Sequence, residues 1–186
     1  MVPCMDHGRK EREVIHMSKI GNFVSAEEND IFVNEMLKGN EVIEEALAKW
    51  KEDTHNVGYI EAAYKSIIDR DRECGGFIVS VESGNVQAGA DHVEFFNGGK
   101  PLKLNKAKGS YDEQYLLVFT TRDRFRECND TAGVVMFIQE AFTLLKDIEG
   151  VDGIVINIGK EEVVINKHDM KVISRLIELS EEKEND

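Results

Sequence analysis

Residues 115–121 read Tyr-Leu-Leu-Val-Phe-Thr-Thr. Leu116, Leu117, Val118 and Phe119 follow one another with no polar break, so both faces of a pleated strand would carry apolar side chains that need cover. The stretch predicts a central strand packed on both sides. Beyond it, Arg122 to Cys128 reads as a short polar turn or helix. Val134 to Ile138 reads as a further strand, and Ala141, Phe142, Leu145 and Ile148 mark a helix that ends before Gly150. A single helix over 134–148 is the alternative, because a short apolar run does not decide the period. Gly153 to Ile158 reads as a buried strand with Val163 to Ile165 as its hairpin partner across Gly159. A last helix begins at Asn166, a good N-cap with Asp169 three residues on, and Met170, Ile173 and Ile177 form its apolar stripe.

On the other side of 115–121, Phe77, Ile78, Val79 and Val81 are residue types that pack on a sheet surface. Val93 to Phe96 and Leu102 to Asn105 flank Asn97-Gly98-Gly99, which predicts a hairpin, and the small polar segment 82–91 reads as a flexible loop. Further upstream, Ile43, Leu47 and Trp50 recur at helical spacing after Asn40, a natural N-cap. Ile60, Tyr64, Ile67 and Ile68 repeat the pattern from Asn56, so the two helices read as a hairpin linked by 53–55. The class expected is α/β of the mixed α+β kind: an N-terminal helical hairpin, then a mixed sheet with packed helices, then a C-terminal helix. Residues 1–20 are expected to be a disordered leader, with Met17 a second candidate start, and 21–186 a single domain.

Three pieces of this order resemble the SseB family, named after an enhanced serine sensitivity protein. They are Asn-Glu-Val-Ile-Glu-Glu-Ala-Leu from Asn40, Leu-Leu-Val-Phe-Thr-Thr from Leu116 to Thr121, and Gly-Ile-Val-Ile-Asn from Gly153 to Asn157. Together the resemblance runs from about Asn40 to Ile177. The family's late strand usually ends Ile-Asn-Pro, whereas this chain has Ile158 in the proline's place, so the strand is expected to run one residue further before Gly159. None of the three pieces is a catalytic signature. The resemblance therefore implies a fold and brings no active-site residue with it.

The 186 residues carry 23 basic and 36 acidic side chains, a formal charge of -13 that repels nucleic-acid phosphates and anionic lipid alike. The densest basic stretches, Arg70 to Arg72 and Arg122 to Arg126, are interleaved with acids. No apolar run is long enough for a membrane-spanning helix or for a secretion signal in the first 20 residues. Cys4, Cys74 and Cys128 are too few and too scattered for a disulfide framework, so a reducing, cytoplasmic setting is expected. The repeated Arg-Glu-Cys at 72–74 and 126–128 has no longer period behind it.

No nucleophile elbow, phosphate-binding glycine loop or ligand-spaced metal cluster is present in the sequence. Ser18 beside His16, His92 between Asp91 and Glu94, and His168 beside Asp169 each lack the partners that catalysis or metal binding needs. No cofactor and no enzymatic activity are expected. Thr120, Thr121 and Asn157 are the binding candidates, because they stand at strand carboxyl ends where open α/β sheets place ligands. Phe96 joins them: with Phe95 adjacent, one of the two rings must point away from the core unless both faces are covered. The expected function is a non-catalytic protein-binding or regulatory module acting on another protein or on a second copy, and the alternative is a metabolite-binding protein with its site at the strand ends.

Overall fold

The computed structural model describes residues 26–82, 93–95, 103–128, 132–159 and 162–184. Along the chain these form α1 (Ala26–Leu37), α2 (Glu41–Glu52), α3 (Val57–Arg72), β1 (Gly76–Val81), β2 (Val93–Phe95), β3 (Lys106–Lys108) and β4 (Gln114–Phe119). The order continues with α4 (Arg122–Arg126), β5 (Ala132–Phe137), α5 (Ile138–Leu145), β6 (Gly153–Ile156), β7 (Val163–Asn166) and α6 (Lys167–Glu184). The strands make one seven-stranded sheet ordered β2-β5-β1-β4-β6-β7, with β3 paired to β4 off that path. Pairs β2–β5 and β4–β6 are parallel and the rest antiparallel, so the mixed α/β class is as expected and β4 is central.

The alternation of side chains along β4 divides the core in two. Leu116 and Val118 face a large cluster with Phe77, Val79, Met136, Ile154, Ile156 and Ile165, roofed by Ile43 and Leu47 of α2, Ile67 of α3, Phe142 of α5 and Ile173 of α6. Leu117 and Phe119 face the other way, with Ile78, Val135 and Val155, under Val33, Met36 and Leu37 of α1 and Phe125 of α4. Aromatic edges lock each side, Phe77 on Phe142 and Phe119 on Phe125, with ring centroids 6.3 and 5.4 Å apart.

Strands β1 and β4 meet directly only at Ile78↔Phe119 and Val79↔Val118. Beyond those pairs they part, and residues 103–108 enter the gap. Leu104 bridges Val81, and Lys106–Lys108 pair with Leu116–Gln114. Asn105 sits in the fork: its backbone N–H donates to Ser80 O at 3.1 Å, its carbonyl accepts from Leu117 N at 3.4 Å, and its Nδ2 reaches Ser80 Oγ and Val81 O, both at 2.9 Å.

Several expectations are corrected here. The hairpin of 93–96 with 102–105 does not form: β2 lies parallel to β5, Val93 opposite Gly133, while Leu104 belongs to the fork. Glycines permit a reversal but do not select the strand that the returning chain meets, and the open ends of β1 and β4 took the partner. Asn97–Gly99, the loop 83–91, His92 and the leader residues 1–20 lie outside the described residues. The late strand stops at Ile156 instead of running through Ile158, because Asn157 turns to a left-handed φ of 54°. Helix α1 was not foreseen, although Val33, Met36 and Leu37 have helical spacing. Cys128 is a free thiol whose ionisation burial pushes up. The strand-then-helix reading of 134–148 holds over its one-helix alternative.

Chain chemistry explains the tightest join. Gly153 starts β6 so close to β7 that a Cβ there would lie 2.2 Å from Ile165 O, which no side chain allows. At the next junction Asn166 caps α6 as expected, its Oδ1 accepting from Asp169 N at 3.0 Å.

Candidate functional site

The carboxyl ends of β4 and β6 lie side by side, and there the sheet stops being apolar. Thr120 is 0 % and Asn157 1 % exposed. A polar group so placed costs stability unless it is hydrogen-bonded. Asn157 Oδ1 accepts from Thr120 N at 3.0 Å, and its Nδ2 donates to Thr120 Oγ1 at 2.9 Å. The left-handed turn at Asn157 is what aims the amide back along β4, while its own N–H still donates to Val118 O at 2.9 Å. Asparagine is among the few residues other than glycine that take this backbone conformation readily.

Helix α2 closes the pair from above. Glu44 Oε1 accepts from the hydroxyls of Thr120 and Thr121, and Glu44 Oε2 accepts from Arg124 Nη2 at 3.4 Å. Thr121 also serves as N-cap of α4, its Oγ1 accepting from Arg124 N at 3.4 Å. Of the predicted residues, Thr120, Thr121 and Asn157 thus come together. Phe96 lies outside the described residues.

The network continues through residues that sequence reasoning missed. Asn40 precedes α2 but makes no capping bond, so its reading as a side-chain N-cap is corrected. Its Nδ2 instead donates to Gly76 O and Thr120 O, each at 2.8 Å, clipping together the ends of β1 and β4 where the ladder has run out. Its Oδ1 accepts from Arg70 Nε at 3.1 Å. The Arg70 guanidinium, buried to 6 % exposure, also donates to Lys38 O at 2.6 Å, Met36 O at 3.3 Å and Glu73 Oε2 at 2.6 Å. Arg70 therefore holds the C-terminal end of α1, where backbone carbonyls are left over. Its neighbour Asp71, 2 % exposed, accepts from Gln139 N at 3.0 Å in the first turn of α5. A signal was there: Arg70 continues the buried spacing of Ala63 and Ile67, and a charge at a core position demands partners.

The histidine and metal expectations can be placed in part. His168 lies in the first turn of α6, exposed. Among the described residues no three His, Cys, Asp or Glu side chains gather as a metal site would need, and no helix is long and apolar enough to cross a membrane.

A family model described as SseB protein N-terminal domain matches residues 43–169, more than half of the chain. The chain belongs to the SseB family. Searches of curated proteins and of solved structures returned no match. The SseB match takes in Glu44, Arg70, Thr120, Thr121, Arg124 and Asn157, and leaves out Asn40 and α1. In this SseB-family chain, then, Arg70 lies within the matched span and binds carbonyls before it.

A second polar pair ties α3 to α6 in the same SseB domain. The Tyr64 hydroxyl lies within electrostatic reach of the Asp169 carboxylate, and its ring lies edge-on to Trp50 at 5.8 Å. Burial, then the Asp169 charge, raise the phenol above its ordinary value of 10.0. A raised folded value means stability that is whole below pH 10 and drains away as pH climbs through the folded value. Urea unfolding measured across the alkaline range is expected to show that decline, and Tyr64→Phe is expected to flatten it. Tyr115, raised in the same direction by burial, Glu113 and Asp152, leaves a residual slope in the variant.

Proposed function

We propose that this SseB-family protein is a non-catalytic protein-binding or regulatory module. One observation carries the reading: at the strand ends, where a ligand or a reaction would be sited, Thr120, Thr121, Asn157, Glu44 and Asn40 bond to one another and to backbone. Side chains spent on one another are poorly disposed to receive a substrate. What remains for recognition is the surface, and apolar groups stand exposed there: Leu144 at 41 %, Val172 at 38 % and Leu176 at 40 %. The charge of -13 directs the proposal to protein and away from nucleic acid or anionic membrane. Light scattering after gel filtration, with affinity capture from cell extract, tests it. Self-association or a reproducible retained protein is expected, and a strict monomer that retains nothing counts against the reading.

The second reading keeps Thr120, Thr121 and Asn157 as a metabolite site, favoured by their position beyond strand carboxyl ends. A ligand for the folded state would raise the melting temperature by mass action. Thermal shifts against amino acids, nucleotides and metal ions are expected to be flat, and a saturable rise abolished by Thr120→Val would reverse the order of the two readings. A cytoplasmic setting belongs to the proposal on the strength of the low cysteine content. Alkylation of thiols in intact cells decides it: Cys74 found bridged there would remove that part.

A further inference from the structure

Helices α3 and α6 leave a cleft of about 420 Å³ between them, lined by Tyr64, Ile68, Leu176 and Leu179 and rimmed by Glu61, Lys65, Asp69 and Arg72 of α3. Val172, Leu176 and Leu179 are spaced i, i+4 and i+7, a second apolar stripe on α6 beside the buried stripe of Met170, Ile173 and Ile177. On α3 the rim residues recur at helical spacing, so they form one row about 16 Å long from Glu61 to Arg72.

Two properties of that row point to its occupant. Its charges run minus, plus, minus, plus and sum to zero, in a chain whose formal charge is -13. The net charge makes copies of the molecule repel, and a neutral row around an apolar floor adds nothing to that repulsion where they would touch. The order also inverts in sign when read backwards. When two such rows lie antiparallel, Glu61 of each faces Arg72 of the other, and Lys65 of each faces Asp69 of the other. A contact that uses the same patch on both sides, each residue meeting its complement, is what a two-fold interface requires.

We propose that this face binds a second copy of the chain, with α3 running antiparallel to α3 and the α6 stripes closing the apolar centre. The inference rests on the protein-binding reading and names its partner. At present Lys65 and Arg72 lie against Asp69 along their own helix, exposed ion pairs that are weak enough to be shared across the interface.

Sedimentation velocity on the full chain tests this. The wild type is expected to dimerise with rising concentration. Lys65→Glu puts like charges opposite Asp69 twice per dimer, and Asp69→Lys does the same opposite Lys65, so each variant alone is expected to associate roughly tenfold more weakly. An equimolar mixture of the two is expected to recover the wild-type affinity, since position 65 of one then complements position 69 of the other. Both variants lose the Lys65–Asp69 pair within α3, so recovery on mixing reports contact between molecules and not helix stability. A wild type that stays monomeric, single variants that associate normally, or a mixture no tighter than its parts would each overturn the inference. If such a monomer still retains a different protein, the binding-module reading stands while the two-fold contact falls.

Discussion

Arg70→Ala is expected to lower the unfolding free energy by about 3–5 kcal/mol, the size seen when a buried, fully bonded charge loses its place. The guanidinium reaches Asn40, Met36 and Lys38 at once, and alanine would leave a buried amide oxygen and two carbonyls without their donor. Lysine keeps the charge but presents it as a point instead of a planar fork, so Arg70→Lys is expected to recover little. Urea unfolding followed by circular dichroism reads the global loss. Hydrogen exchange reads a local one: α1, held at its C-terminal end by these bonds, should lose protection first. An Arg70→Ala midpoint equal to the wild type would mean that the guanidinium is dispensable.

Asn157→Ala is expected to cost about 3 kcal/mol, from two separable causes. The first is the loss of the amide that serves both the backbone N–H and the hydroxyl of Thr120. The second is the backbone: alanine at a φ of 54° carries a penalty of about 1 kcal/mol that asparagine eases and glycine escapes. Asn157→Gly is therefore expected to fall between wild type and alanine, with the gap between the two variants measuring the strain alone. Equal midpoints for the glycine and alanine variants would remove the backbone part of the account, and an unchanged alanine midpoint would remove both.

The features legible in the sequence were those carried by local pattern. The run 116–119 marked the central strand, the periodicities after Asn40 and Asn56 marked α2 and α3, and Asn166 with Asp169 marked the start of α6. The features not legible depended on which distant segment a residue meets. Nothing near Val93 announces a parallel alignment with β5, and nothing near Leu104 announces insertion between two other strands. The candidate site divides in the same way. Position at a strand end singled out Thr120, Thr121 and Asn157, but the partners that close over Thr120 are Glu44 of α2 and Asn40 before it, 76 and 80 positions away in sequence, with Asn40 held in turn by Arg70 of α3. Asn40 shows the limit most clearly, since asparagine before a helix is a sound local reason for a cap and its amide was claimed by strand ends instead.

The fork at Asn105 has a bearing on how the molecule can come apart. Only two residue pairs join β1 to β4 directly, against six between β1 and β5. The sheet is in effect two panels hung on a short common hinge, with Asn40 as a pin at one end and Asn105 as a wedge at the other. Their side-chain amides help decide whether the panels stay in line, so this seam is a place where the sheet can bend with its hydrophobic layers intact.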